Sequence, residues 1–91
     1  MSHLMTPNPA LLARVQRIAG QVAAIERSLA GGADCADLLH LVAATRGAIG
    51  GLMEKIIEEH LHAHVADPDL TPAARVEGAR ELMDAIRRYS K

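Results

Sequence analysis

Two histidines on one predicted helix have the spacing expected of metal ligands. His60 and His64 are four residues apart, and residues at this spacing lie on the same face of an α-helix. His62 lies between them in the sequence and therefore faces another direction. A pair of imidazoles can supply two nitrogen ligands to a transition metal. Histidines that are only packed or solvated show the same spacing, and this alternative stays open.

The single cysteine, Cys35, is a further candidate ligand. It directly follows Asp34, which is predicted to cap the start of a helix, where unpaired backbone N–H groups and the helix dipole favour a thiolate. The alternative is a small buried apolar residue. Because one cysteine cannot form an intrachain disulfide, we expect a protein of the reducing cytosol.

One thiolate and several imidazoles form a borderline-soft ligand set that suits nickel, cobalt, zinc or copper. The sequence has no Cys-x-x-Cys pair, so a closed zinc site of the finger type is not expected. It also has no glycine-rich phosphate loop, nucleophile elbow or His-Glu-x-x-His motif. We therefore expect a metal-binding protein that is not an enzyme.

Composition limits the possible partners. The 91 residues include 49% hydrophobic and 23% charged residues, which predicts one small domain over residues 1–91. Ten Lys and Arg against eleven Asp and Glu give a formal charge of -1, so any contact with DNA must come from a local patch. The absence of Phe and Trp excludes the stacking platforms that read single-stranded nucleic acid. No apolar run predicts a signal peptide or membrane span, and no membrane partner is expected.

Start and stop signals divide the chain into three predicted helices. Asn8–Pro9 and Thr71–Pro72 each combine a capping residue with proline at the first helical position. Gly31–Gly32 and Asp67–Pro68 interrupt the chain between helices. No segment alternates with period two, so no strand is predicted. We predict an all-α protomer with helices at about residues 9–30, 35–65 and 72–90.

The apolar pattern predicts an oligomer. At 1.5 Å per residue the middle helix is about 46 Å long, whereas a compact chain of this size has a radius of gyration of about 12 Å. One chain cannot bury this helix, so we expect a homo-oligomer, most simply with twofold symmetry. The first helix adds a coiled-coil seam with steps of three and four, formed by Leu11, Val15, Ile18, Val22, Ile25 and Leu29.

Small residues at Gly47–Gly51 mark the middle of the long helix. Each glycine costs up to about 1 kcal/mol of helix propensity, so close approach of a second backbone would explain the cluster; a kink is the alternative. Cys35 and His60 are 25 residues apart, or about 37 Å along one helix. If two copies cross antiparallel near this cluster, Cys35 of one chain comes level with His60 and His64 of the other.

The candidate DNA patch is a polar row on the first helix. Arg14, Arg17 and Gln21 follow helical spacing along one edge of the seam, although an ordinary solvated face is the alternative. Arg46 occupies an apolar seam position in the middle helix. A guanidinium there must be paired with another polar group or reach an edge of the apolar seam. We therefore interpret Arg46 as a member of a polar network or as a DNA-facing residue.

Residues spread over nearly the whole chain carry a resemblance: the Met-Ser-His start, Arg14, Arg17, Gly20, Gln21, Cys35, residues 43–48, Gly51, Leu52, Met53, His60 and His64. On these residues the chain resembles the CsoR/RcnR family of small all-helical metal-sensing repressors. The resemblance implies a three-helix protomer without a helix-turn-helix, in an antiparallel dimer that assembles into a dimer-of-dimers tetramer. It also implies the metal ligands of the nickel- and cobalt-sensing branch, which correspond here to His3, Cys35, His60 and His64.

Other branches of the family resemble this sequence less. Copper sensors have a second cysteine at the place of His64, and persulfide sensors also need two cysteines. Formaldehyde sensors keep the cysteine but have proline after the initiator methionine and usually a carboxylate at the place of His64. In the nickel and cobalt branch the N-terminal amine can help to bind metal, which would here be the amine of Ser2 after removal of Met1.

The resemblance implies a cytoplasmic repressor whose metal-free tetramer binds double-stranded operator DNA. Nickel or cobalt would release the DNA and so derepress metal efflux, while zinc or copper can occupy such a site in vitro. The alternatives are a formaldehyde-responsive repressor that uses Cys35 and a non-transcriptional metal-binding helical protein. His40 and His62 have no assigned role.

Overall fold

The computed structural model describes residues 7–89, which form three α-helices and no strand. They are α1 (Pro9–Ala30), α2 (Cys35–His64) and α3 (Pro72–Tyr89). The prediction of an all-α, three-helix protomer is confirmed. The predicted ends of α2 and α3 lie one residue beyond those observed, and Ser90 is outside the described residues.

Each helix begins at a side-chain cap that the sequence predicted. Asn8, Asp34 and Thr71 accept hydrogen bonds from backbone N–H groups of the first turn, at distances between 3.0 and 3.3 Å. These N–H groups have no partner within the helix, so the caps stabilise each helix start. Gly32, just after α1, has a φ of 73°, which favours glycine because it has no Cβ.

The chain divides into two compact units. The first contains α1 and the part of α2 up to Met53, and the second contains the rest of α2 from Glu54 together with α3. None of the helices within residues 7–89 is long and apolar enough to cross a membrane.

Large apolar side chains of all three helices remain exposed in the single chain. Within residues 7–89 no hydrophobic side chain is fully buried, and Leu29, Leu39 and Val76 are 63%, 65% and 70% exposed. In α1 one row of the predicted seam is half-buried and the other is exposed. The half-buried row is Leu11, Ile18 and Ile25, and the exposed row is Val15, Val22 and Leu29.

Candidate metal and DNA sites

The predicted histidine pair comes together at the carboxyl end of α2. The ring centroids of His60 and His64 are 4.8 Å apart, and the ring planes are inclined at 51°. Both side chains are half-buried. The i, i+4 spacing therefore makes the two imidazoles immediate neighbours, as the sequence predicted.

A backbone contact orients the ring of His60. Its Nε2 atom lies 2.9 Å from the carbonyl oxygen of Gly78 in α3. A carbonyl oxygen only accepts hydrogen bonds, so in the neutral ring Nε2 carries the proton and Nδ1 keeps a lone pair. Metal-binding histidines commonly donate their second ring N–H to a backbone carbonyl in this way. The donor chemistry of His60 thus fits a metal ligand that binds through Nδ1.

Gly78 permits this contact because it has no side chain. It is buried, and a Cβ at this position would lie 2.7 Å from the carbonyl carbon of His64 and 2.9 Å from the His64 Cβ. These distances are well inside van der Waals contact, so α3 meets the end of α2 only with glycine here. In the sequence, the signal for Gly78 is only an isolated glycine within a helical pattern, which we did not interpret as a contact site.

Arg75 holds the segment that follows the histidine pair. Its Nε donates to the carbonyl of Val65 and its Nη2 to the carbonyl of Asp67, each at 3.0 Å. Carbonyls at a helix end lack partners within the helix, and a cationic side chain complements the helix dipole there. The Asp67 side chain also accepts from the backbone N–H of Asp69 at 2.9 Å. Arg75 was not predicted from the sequence, because nothing local distinguishes it from the other arginines of α3.

The described part of one chain does not assemble the complete predicted ligand set. Cys35 is an exposed free thiol at the first residue of α2, whereas His64 is the last residue of that helix. Across residues 7–89, no three or more His, Cys, Asp and Glu side chains form a group that could hold a metal ion. The remaining predicted ligands, His3 and the Ser2 amine, lie outside the described residues.

The three residues predicted to contact DNA from α1 share one cavity. It has a volume of about 120 Å³. Arg14 and Gln21 are half-buried, and Arg17 is exposed. Two guanidinium groups so placed are suited to phosphate oxygens, which they can bind through parallel N–H donors. The cavity is lined by Arg14, Arg17, Ile18, Gln21 and Ala48.

Two further observations describe the surroundings of Arg14 and Gln21. Nη1 of Arg14 would lie 3.4 Å from a Cβ built on Gly51, so the guanidinium lies against α2 where that helix has no side chain. The Oε1 atom of Gln21 is buried and has no hydrogen-bond partner among the described residues. A buried acceptor without a partner costs about 1–3 kcal/mol, so a donor that reached this atom would bind favourably.

The other singled-out residues of α2 are solvent-exposed. Arg46 is exposed between the partly exposed seam residues Val42 and Ile49. The Arg46 guanidinium therefore meets the requirement to reach an edge of the seam. His40 and His62 are also exposed.

Arg80 provides an instructive contrast with Arg75 on the same helix. Its hydrogen bonds go to Glu77 and Asp84, both within α3. The hydrogen bond from Arg80 lowers the pKa of the Glu77 carboxyl, and the same pairing raises the pKa of the Arg80 guanidinium. Arg80 therefore makes its hydrogen bonds within α3, whereas Arg75 donates to the segment just after α2.

Comparison with known sequences places the chain among transcriptional regulators. Residues 8–88 match the family described as metal-sensitive transcriptional repressor. The chain is 44% identical to an uncharacterized protein in the bioA 5' region of Serratia marcescens, with both chains covered completely. It is 35% identical to the transcriptional repressor RcnR of Salmonella paratyphi B, again over the full length of both chains.

Solved structures agree with this placement. A variant of the formaldehyde-responsive regulator FrmR from Salmonella enterica serovar Typhimurium matches with 39% identity and a TM-score of 0.84, covering 92% of this chain and 99% of that one. The copper-sensing repressor CsoR with Cu(I) from Geobacillus thermodenitrificans matches with 25% identity and a TM-score of 0.85, covering 100% and 99%. The chain therefore belongs to the CsoR/RcnR family of metal-sensitive transcriptional repressors, which are not enzymes.

Proposed function

We propose that this repressor is a cytoplasmic sensor of nickel or cobalt that binds operator DNA without metal and releases it when metal binds. The choice of metal rests on the paired imidazoles of His60 and His64, whose ring centroids are 4.8 Å apart. A nitrogen-rich set with one thiolate suits nickel and cobalt, whereas Cu(I) prefers several soft sulfur ligands. The hydrogen bond from His60 Nε2 to Gly78 supports His60 as one of the ligands, because it leaves Nδ1 as the ligand atom.

The proposed site takes ligands from two protomers. Cys35 of one protomer would join His60 and His64 of a second one, and His3 and the Ser2 amine would complete the set where the metal needs more ligands. The position of Cys35 and His64 at opposite ends of α2 favours this division between antiparallel helices.

The exposed face of α2 supports an antiparallel dimer. Among residues 7–89, a Cβ built on Gly47 or Gly50 meets nothing within 4 Å, so no neighbour in that part of the chain requires glycine at either position. We attribute these two glycines to the backbone of a second helix that crosses α2 at this point. A dimer of this kind, doubled into a tetramer, would cover the exposed apolar residues Leu39, Val42, Ile49, Met53, Ile56 and Leu61.

The proposed DNA surface is the α1 cavity together with the exposed Arg46, which lies two residues before the cavity-lining Ala48 in α2. Arg14 and Arg17 would bind phosphates, which position the protein on the duplex, while the Gln21 amide is suited to a base edge. Metal can release DNA only by binding more tightly to a conformation that binds DNA weakly. The proposed metal ligands of one protomer and its proposed DNA-contacting residues are different sets of side chains, so a metal effect on DNA binding requires such a change of conformation.

The decisive test measures DNA release. An operator duplex, selected from random sequences by the metal-free protein, would be titrated separately with nickel, cobalt, copper, zinc and formaldehyde. Release at the lowest free concentration of nickel or cobalt would support the proposal. Release by formaldehyde alone would reject it.

The second candidate is a formaldehyde-responsive repressor. It is favoured by the exposed Cys35 thiol, which can add to an aldehyde carbonyl, and by the similarity to the FrmR variant. Replacing His64 separates the candidates, because His64→Ala would abolish the metal response but leave aldehyde addition at Cys35 intact. Membership of a repressor family argues against the non-transcriptional alternative.

A further inference from the structure

The turn between α2 and α3 is organised from one face of α3. Arg75 and Gly78 are three residues apart in α3 and therefore share a face. Arg75 contacts the segment just after α2, through the carbonyls of Val65 and Asp67, and Gly78 contacts α2 itself, through the ring of His60. One helix face thus contacts both the histidine pair and the segment that follows it.

The chemistry of arginine suits this position. The carbonyls of Val65 and Asp67 belong to the first residues after α2, and both N–H···O distances are 3.0 Å. A planar guanidinium can donate to two acceptors at once from a fixed geometry, whereas a lysine ammonium concentrates its charge at one point. Arg75 therefore links two points of the turn to α3, and its charge complements the carbonyl end of α2.

We propose that Arg75 is a positioning residue for the His60–His64 pair. By holding Val65 and Asp67 against α3, it keeps the carbonyl of Gly78 within hydrogen-bond distance of His60 Nε2. That bond in turn directs Nδ1 of His60 toward ligand binding. The inference rests on the proposed function for the metal, but the link from Arg75 to the His60 ring exists without metal.

The test compares three full-length variants. Arg75→Ala removes both hydrogen bonds, and Arg75→Lys retains the charge without the two-point contact. Arg80→Ala is the matched control, since within the described part of the chain the hydrogen bonds of Arg80 stay inside α3. Nickel affinity, measured by competition with a chelator, should fall about fivefold to tenfold in Arg75→Ala. The nickel affinity of Arg75→Lys should lie between those of wild type and Arg75→Ala, and the nickel affinity of Arg80→Ala should equal that of wild type.

A second measurement needs no metal. Nitrogen-15 NMR near pH 8, where most imidazoles are neutral, would follow exchange of the His60 Nε2 proton with water. Exchange should accelerate about tenfold in Arg75→Ala, because the ring loses its fixed acceptor. Backbone amides of α1 serve as the reference for global unfolding and should keep their wild-type exchange rates.

The outcomes separate the two proposals. If the His60 proton exchanges at the wild-type rate in Arg75→Ala, the positioning role is wrong, whatever the nickel affinity. The role is also wrong if Arg80→Ala weakens nickel binding equally, or if the amides of α1 accelerate as much as the His60 proton. Should Arg75→Ala fail to fold, the same comparison is made with Arg75→Lys. Failure of the wild-type protein to bind either nickel or cobalt rejects the proposed function alone, because the proton measurement still decides the role of Arg75.

Discussion

His60 and Gly78 are joined by a hydrogen bond of 2.9 Å between a side-chain nitrogen of α2 and a backbone carbonyl of α3. Because the acceptor is a backbone atom, no side-chain substitution removes it directly. The residue at position 78 matters instead through its size, since it determines how closely the two helices approach. The orientation of one candidate metal ligand therefore depends on the absence of a side chain on another helix.

We predict that Gly78→Ala destabilises the protein. The added Cβ would overlap the carbonyl group of His64, and overpacking of this kind costs about 1–3 kcal/mol. Chemical denaturation should show a lower midpoint with a similar slope. Gly20→Ala is the control, because a Cβ there meets nothing within 4 Å and alanine favours helix by up to about 1 kcal/mol. Equal or greater stability of Gly78→Ala would contradict the close approach of α3 to His64.

We predict that Cys35→Ala abolishes nickel-dependent release of DNA while the metal-free variant still binds its operator. The thiolate is the soft ligand of the proposed set, and Cys35 lies at the exposed start of α2, away from the cavity residues in sequence. His62→Ala is the matched control, because His62 is exposed and does not share the face of His60 and His64. Fluorescence anisotropy of labelled DNA gives both measurements. Unchanged nickel affinity in Cys35→Ala would exclude Cys35 from the site.

We predict that Ile49→Glu weakens self-association. Ile49 is 47% exposed and lies between Gly47 and Gly50, where the proposed antiparallel helices cross. A carboxylate buried there would lose its hydration without a partner, so sedimentation should show dissociation at concentrations at which wild type remains associated. Lys55→Gln is the control, since its exposed ion pair with Glu58 contributes little. An unchanged assembly in Ile49→Glu would move the crossing point elsewhere.

Local features of the sequence predicted the helices, while contacts between helices could not be predicted in the same way. The caps at Asn8, Asp34 and Thr71 act within three residues, so residue type and position suffice to identify them. The acceptors of Arg75 lie 10 and 8 residues away across a turn whose path no local signal specifies. Gly78 likewise has meaning only once α3 is placed beside α2.

In the candidate metal site too, the relationship within one helix was predictable from the sequence, whereas the contact between helices was not. His60 and His64 share a helix, so their spacing alone predicted that the rings would be neighbours. The partner of His60 Nε2 belongs to α3, 18 residues away, and it became visible only in the folded chain. In the proposed site Cys35 comes from a second protomer, so its place beside the pair has no local signal in one chain.

We predict that Arg17→Ala flattens the salt dependence of DNA binding. If a tetramer presents Arg14 and Arg17 four times, about eight phosphates are neutralised, and log K falls against log salt with a slope of roughly -7. Arg17→Ala leaves about four such contacts, so the slope should flatten to roughly -3.5 while nickel affinity stays near wild type. Arg88→Ala is the control, because Arg88 is an equally cationic, exposed residue near the end of α3 and should leave the slope unchanged. Binding titrations over a range of salt concentrations measure these slopes. A wild-type slope and affinity in Arg17→Ala would show that phosphates are bound elsewhere, with Arg46 and Lys55 the next residues to replace.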